Sequence, residues 1–529
     1  MVGIMKTTQE IEQLKQERQQ LVTSQANELI KAIRDGLSPE ELQDILERKK
    51  LKPEALKIAM DDCKVNGVVV PEIIEDYYID RTIVPLKTRP IEFFANKTEG
   101  KTRGQIIRKA PRDNSKGLKY QNNWMNKVGH NDPELAPGMA ACEYISTNLL
   151  NQIMGENSPK FRLHKNQQGE VTILSKFIPG FVTLSEQKKR AHALDLGEIK
   201  GFSNFFAANA LIGNADLNRG NVGIRTDDNG NKFFATIDTG VALYYSNFQD
   251  EQNKADIQSF KSSLLKMKDI YSESLFHGDN FANELFTTLN DIDLTRTRKI
   301  ISKSIQNLKE AYGDDFLKNP KVNRLFKARL GMTNEQSLTE ESLKNKIVEN
   351  MISVKEKLLD MSQNIYLESF VQNFKDCIAN SVDVTVINTQ LARMPEDIRS
   401  YVLSCPIDTK GNNAFILAMN AGHKELADTL FSYEIHTKDP KQAQEINNHQ
   451  NQGENLITSL SERDAGKSNE IEIVSIRPTE KVESTNKKIF SSNAIKKIVE
   501  QLKSVNTINQ NEITSVSNNK KISNIPRRP

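Results

Sequence analysis

Leu211-Ile212-Gly213-Asn214-Ala215-Asp216-Leu217-Asn218-Arg219-Gly220-Asn221-Val222-Gly223-Ile224 is the most informative stretch of this chain. It ends an apolar run, Phe202–Ile212, that reads as a buried helix. Asp216 and Asn221 then stand at the two ends of a polar loop in the pattern D-x-x-x-x-N. Asp227-Asp228-Asn229-Gly230 is a tight-turn signal, so a β hairpin is expected to follow. Its return strand, Phe233-Phe234-Ala235-Thr236-Ile237, ends in Asp238-Thr239-Gly240 and brings Asp238 back beside Asn221. The glycine lets the backbone leave that point without a Cβ clash. Taken singly, Asp216 fits a helix-end cap and Asp238 a turn residue. Taken together, with a greasy helix before them and a β ribbon between, they gather hard oxygen donors at one place.

Phosphoryl transfer asks for that set: a carboxylate near the attacking hydroxyl and oxygen ligands for a divalent ion. Asp216 suits the hydroxyl, whether it positions or deprotonates it, and Asn221 and Asp238 suit the metal. The two motifs resemble the catalytic and metal-binding loops of the protein-kinase-like superfamily and look closest to the phosphatidylinositol kinases. Loops in that branch read D-R-H-x-x-N with I-D-F-G, or D-R-G-N-D-N with I-D-N-G. This chain has D-L-N-R-G-N with I-D-T-G, and Asn218 replaces the histidine of the first pattern. The resemblance implies ATP with Mg2+ (or Mn2+), Asp216 as catalytic residue, and Asn221 and Asp238 as metal ligands. It also implies an upstream lysine on the nucleotide phosphates, oriented by a glutamate. Glu143 fills the glutamate role. Lys127, in Trp124-Met125-Asn126-Lys127, and Lys109, in Ile106-Ile107-Arg108-Lys109, both stand as candidates for the lysine. Arg219 suits a γ-phosphate or an acidic head group, and equally a solvent-facing position.

The surrounding pattern is consistent with such a fold. Strands are predicted at Pro90–Phe94, Gln105–Lys109, Tyr120–Lys127, Lys160–His164 and Val171–Phe177, with a helix from Gly138 to Met154. Asp113-Asn114-Ser115-Lys116-Gly117 is a turn signal inside this run. Thr98–Gly104 is a candidate phosphate-covering loop, although it lacks G-x-G-x-x-G. The class is therefore α+β: a bilobal kinase-like fold with an N-lobe at 86–180 and a C-lobe at 181–375, and a nucleotide in the cleft between them. Residues 1–85 form a helical extension. Apolar residues recur at helical spacing over Gln9–Ile33, Ser38-Pro39-Glu40-Glu41 reads as a capped helix start, and Pro53-Glu54 marks another.

Asp408–His423 resembles an ankyrin repeat, D-x-x-G-x-T-P-L-H-x-A-x-x-x-G-H. Gly411, Ala418, Gly422 and His423 match; Asn413, Ala414 and Ile416 depart from it. One repeat cannot bury a core, since about 3 are needed, so degenerate repeats are expected across 376–460. Such an array implies docking of a partner protein, with His423 bonding locally rather than holding metal. Residues 461–529 are polar, rich in Ser, Asn and Lys, and expected to be disordered or to touch anionic lipid. A kinase-like module joined to ankyrin repeats and a polar tail resembles translocated effectors of intracellular bacteria. That implies secretion into host cytoplasm, with peripheral contact at host membranes.

Composition narrows the function classes. The 529 residues carry a formal net charge of +3, which excludes a bulk polycation that binds nucleic acid by charge alone. Mean hydropathy is −0.55, and no window approaches the ~18 uninterrupted apolar residues of a membrane span. The N-terminus lacks the apolar stretch of a secretory signal. Cys63, Cys142, Cys377 and Cys405 are far apart, which predicts reduced, buried thiols. The acceptor implied first is an inositol phospholipid, with a protein hydroxyl as the alternative. A catalytically dead kinase fold serving as an ankyrin-repeat scaffold is the third reading.

Overall fold

The computed structural model describes residues 8–87, 91–96, 104–109, 123–127, 132–190, 199–214, 216–248, 256–267, 270–379 and 383–435. The fold mixes helix and sheet and is mostly helical. It divides into two compact units, Met1–Ile365 and Tyr366–Pro529.

Unit 1 opens with four helices: α1 (Thr8–Arg34), α2 (Pro39–Lys49), α3 (Pro53–Val65) and α4 (Glu72–Thr82). Ser38 caps α2 in a reciprocal box. Its hydroxyl accepts from Glu41 N at 3.3 Å, and Glu41 Oε2 accepts from Ser38 N at 2.8 Å. Leu29, Leu42, Leu46, Leu56, Met60 and Ile74 close a core among these helices.

Five antiparallel strands follow: β1 (Ile91–Asn96), β2 (Gly104–Lys109), β3 (Asn123–Lys127), β4 (Phe161–Lys165) and β5 (Val171–Lys176), in the order β1-β2-β3-β5-β4. Helix α5 (Ala136–Met154) lies in sequence between β3 and β4. Trp124 is buried against Leu174, and side chains alternate along a strand, so Lys127 faces the opposite side of the sheet from Trp124. Of the two loops singled out in the sequence, Asp113–Gly117 lies outside the described residues. So does Thr98–Gly104, except for Gly104, which begins β2.

A second sheet contains β6 (Phe181–Thr183), β7 (Val222–Thr226) and β8 (Lys232–Thr236), all antiparallel in that order. The β7–β8 hairpin is the one expected from the sequence. Strand β6 is a third member that the sequence does not announce, because three residues are too short to show a period. Its seat is made by Gly223: a Cβ there would lie 2.3 Å from the Val182 carbonyl oxygen and 2.6 Å from the Phe181 ring.

Helix α6 (Leu184–Arg190) follows β6, and α7 (Phe202–Leu211) is buried except at Asn204, as its apolar run predicts. Phe202 and Phe206 of α7 meet Phe276 edge-on, with ring centroids 5.1 and 5.2 Å apart, and Phe234 of β8 packs on the same cluster. The body continues through α8 (Ile257–Leu265), α9 (Asp279–Asn290), α10 (Leu294–Tyr312), α11 (Pro320–Leu330) and α12 (Glu340–Ile378), and α12 contains the division between the units.

Unit 2 holds α13 (Val384–Arg393), α14 (Glu396–Ser404), α15 (Ala414–Asn420) and α16 (Lys424–Ile435). The loop before α15 is built by Asp408, whose Oδ1 accepts from Lys410 N at 3.0 Å and Asn412 N at 2.8 Å. Asn413 caps α15 through Ile416 N at 3.0 Å, and His423 N donates to Ala418 O at 3.0 Å. The expected repeats beyond Ile435, and the tail at 461–529, lie outside the described residues. All four cysteines are free and buried. Among the described residues no helix is long and apolar enough to cross a membrane.

Candidate active site

The polar loop after α7 is anchored from below. Tyr245 donates its hydroxyl to Leu211 O at 2.5 Å, and Tyr271 donates to Leu217 O at 2.8 Å. Both rings are buried, and burial pushes both phenols well above the usual tyrosine range, so they remain donors. Asn214 ties the two motifs together. Its Nδ2 donates to Asn209 Oδ1 at 2.9 Å inside the helix and to Asp238 O at 3.2 Å.

Within the loop, Asp216 is held on both carboxylate oxygens. Asn218 Nδ2 donates to Oδ1 at 2.7 Å, and Asn221 Nδ2 donates to Oδ2 at 2.9 Å and to Asp216 O at 3.0 Å. Asn218 Oδ1 accepts in turn from Gly220 N at 2.8 Å. Asn218 thus orients the Asp216 carboxylate. With its amide nitrogen committed to Asp216, Asn221 retains its Oδ1 as an acceptor. The Asn221 carbonyl receives Ile237 N at 3.0 Å and Thr236 Oγ1 at 3.1 Å, so the hairpin returns the chain beside Asn221 just before Asp238.

Lys127 crosses from the first sheet to this point. Its ammonium is bonded to Glu143 Oε1 of α5 and lies 3.5 Å from Asp238 Oδ1. The side chains of Lys127 and Glu143 are only 18% and 13% exposed. Burial works against the ammonium, but Glu143 and Asp238 outweigh it and hold the lysine above its ordinary pKa. For Glu143 burial raises the carboxyl pKa above the usual glutamate value. Lys127 opposes that rise, and the nearby charge of Asp238 adds to it. Lys109, the other candidate, pairs with Ile91 at the end of β2, and its side chain lies outside the described residues.

The Asp238 loop is fastened to α5 by the next residue. Thr239 is fully buried; its Oγ1 lies 2.5 Å from Thr147 Oγ1 and donates to Glu143 O at 3.2 Å. Gly240 N donates to Asp238 Oδ1 at 2.8 Å, and a Cβ on Gly240 would sit 3.1 Å from that oxygen. Arg329 of α11 then clamps the departing chain, donating from Nη2 to Gly240 O at 3.0 Å and from Nη1 to Ala242 O at 2.8 Å. Leu243 follows with φ of 60°, a conformation that costs a non-glycine residue roughly 1–2 kcal/mol. Its N–H donates to Ile212 O at 2.7 Å, which helps hold it there.

Asn214, Thr147, Thr239 and Arg329 were not singled out from the sequence. Asn214 carried a signal, a polar residue closing a greasy helix. Arg329 carried none, because its partners are remote in the chain.

The donor set suits one hard cation. Asp238 offers carboxylate and Asn221 an amide oxygen, and Mg2+ is typically bound by one or two carboxylates together with substrate phosphates. Among the described residues no group of three His, Cys, Asp or Glu side chains is placed to hold a metal without such help. One ammonium, that of Lys127, stands between two carboxylates, those of Glu143 and Asp238. Arg219 is half-buried, and its carbonyl accepts from Ser185 N at 3.1 Å.

A family model described as the LepB N-terminal domain matches residues 162–366, from β4 into α12. The matched part contains Asp216, Asn221 and Asp238 and begins after Lys127 and Glu143. Among solved structures, the crystal structure of a Helicobacter pylori proinflammatory kinase, CtkA, aligns over 53% of this chain and 96% of its own. Identity is 15% and the TM-score 0.28. No curated protein matches the chain.

Proposed function

We propose that this chain is an ATP-dependent phosphotransferase of kinase-like type. The observation that carries the proposal is the ion-paired cluster of Lys127, Glu143 and Asp238, bonded through Asn214 and the β7–β8 hairpin to the Asp216–Asn221 loop. Lys127, oriented by Glu143, binds the phosphates of the nucleotide. Asn221 and Asp238 hold Mg2+ (or Mn2+), which supplies charge neutralisation on those phosphates when bound. Asp216, oriented from both sides by Asn218 and Asn221, accepts a hydrogen bond from the acceptor hydroxyl and takes its proton.

The acceptor we propose is an inositol phospholipid, supported by the likeness of D-L-N-R-G-N and I-D-T-G to the lipid-kinase loops. Arg219, in the loop between Asp216 and Asn221, is suited to an acidic head group. As further parts of the same proposal, the helix pairs of unit 2 dock a partner protein, and the protein works as a secreted effector at host membranes. Incubation of the full chain with γ-labelled ATP, Mg2+, phosphatidylinositol vesicles and a protein mixture tests the reading. Label in lipid that disappears in Asp216→Ala and Asp238→Ala supports it. Label in protein alone moves the acceptor to a protein hydroxyl, and label in neither refutes the kinase reading.

A further inference from the structure

Helix α5 has two polar stripes. Glu143 and Thr147 face the Asp238 loop, as does Ser146, whose Oγ lies 3.5 Å from Thr239 O. One position further round, Tyr144, Asn148 and Gln152 recur at four-residue spacing and therefore share a face. That second face is bonded to α10. Asn307 Nδ2 donates to Tyr144 Oη at 3.0 Å, Asn148 Nδ2 donates to Ser304 Oγ at 3.0 Å, and Thr297 Oγ1 donates to Gln152 Oε1 at 3.3 Å. Thr297, Ser304 and Asn307 are all buried. Buried polar seams of this kind fix register, because sliding one helix strands donors and acceptors away from water.

Helix α10 carries a basic stripe as well, at Arg296, Lys299 and Lys303. It meets an acidic stripe on α4. Arg296 pairs with Glu75 at 2.9 Å, Lys299 with Glu72 at 2.8 Å and Asp76 at 2.7 Å, and Lys303 with Asp80 at 2.8 Å. Lys64 of α3 adds a pair with Asp291, just before α10. The N-terminal helices thus grip α10 along three successive steps, and α10 grips the helix that carries Glu143.

We infer that the N-terminal helices are a built-in positioning element for the site: the charge ladder from α4 sets α10, and the polar seam of α10 sets Glu143 against Lys127. Arg296, Lys299 and Lys303, with their acidic partners, are positioning residues in this scheme. The inference rests on the reading of Lys127 and Glu143 as the phosphate-holding pair.

The test uses the full chain and a readout of the pair itself. A carbodiimide activates the glutamate carboxyl as an O-acylisourea, whose loss of charge lets the adjoining lysine give up its proton and attack, forming an amide and releasing the urea. Without a spacer this needs direct contact, so the Lys127–Glu143 cross-link, measured by peptide mass spectrometry, reports the pair. Lys299→Glu with Lys303→Glu is expected to lower its yield at least fivefold and to raise the ATP KM more than it lowers kcat. Adding Glu72→Lys, Asp76→Lys and Asp80→Lys should restore both. Partly exposed ion pairs add little to stability, so the reversed chain should still melt cooperatively. If it does not, Lys299→Gln with Lys303→Gln removes two rungs of the ladder without repulsion and is read in the same way. An unchanged cross-link in a folded variant, or a loss that the charge swap does not restore, overturns the inference. A native chain that cross-links and responds to the ladder but transfers no phosphate overturns the kinase reading alone.

Discussion

The hydroxyl of Thr239 lies 2.5 Å from the hydroxyl of Thr147, so the loop that presents Asp238 is bonded directly to the helix that presents Glu143. The same Thr239 hydroxyl donates to Glu143 O at 3.2 Å. The Asp238 loop and helix α5 are thereby one mechanical piece, joined by the Thr239 side chain.

Thr239→Val keeps the shape and removes both bonds. Stranding the buried Thr147 hydroxyl should cost about 1–3 kcal/mol. Phosphotransfer should fall further than the melting midpoint explains, and Thr239→Ser should recover most of it. Steady-state kinetics beside calorimetry decides this. Equal activity in the valine and serine variants would show that the bond does not matter.

Lys127→Met leaves Glu143 buried beside Asp238 without its counter-ion. The cost should be up to about 3 kcal/mol, tempered by the residual exposure of the pair. Glu143 already has its carboxyl pKa raised in the folded chain, and loss of Lys127 raises it further. A carboxyl whose folded pKa exceeds its unfolded one contributes stability below the unfolded pKa and loses it as pH rises through the folded pKa. The variant should therefore be closest to the native chain in acid and lose ground as pH rises above the ordinary carboxylate range. Adding Glu143→Gln should flatten that slope. Urea melts across pH measure it, and a variant that instead gains on the native chain as pH rises would contradict the sign.

Asn221→Ala removes an oxygen ligand and also frees Asp216 from its 2.9 Å restraint. The Mg2+ concentration for half-maximal rate should rise about tenfold or more, while nucleotide binding measured without metal changes little. Asn221→Asp should not rescue it, because a second carboxylate would face Asp216 Oδ2. A metal titration that leaves both variants at the native midpoint would remove Asn221 from the ligand set.

Arg329→Met keeps length and apolar contact but abandons the carbonyls of Gly240 and Ala242. Each stranded carbonyl should cost roughly 1–3 kcal/mol. Leu243, with φ of 60°, loses a neighbour that holds its loop in place. Hydrogen exchange at residues 240–245 should accelerate in preference to the core of α7. Uniform acceleration over both would mean that Arg329 serves general packing.

Much of this was legible from residue patterns, for physical reasons. The β7–β8 hairpin has a turn sequence and two apolar runs, and α7 is dominated by phenylalanine and alanine, so each announces itself. The Ser38 box is a local motif that folds as it reads. Strand β6 was not legible because its pairing is fixed by space left at Gly223, not by its own composition. Arg329 and the α10 seam were not legible because a buried guanidinium or a Ser-Asn pair has meaning only once remote segments meet. Lys127 and Lys109 both end strands that precede α5, so sequence position does not choose between them; in the folded chain Lys127 is bonded to Glu143, and the Lys109 side chain lies outside the described residues.

The most direct measurement uses an acyl-phosphate derivative of ATP, which transfers its tag to a lysine lying against the phosphates. With Mg2+ present, the tag should map to Lys127, be blocked by excess ATP, and fall sharply in Asp238→Ala. A tag on Lys109, or one spread over surface lysines and indifferent to ATP, would contradict the site.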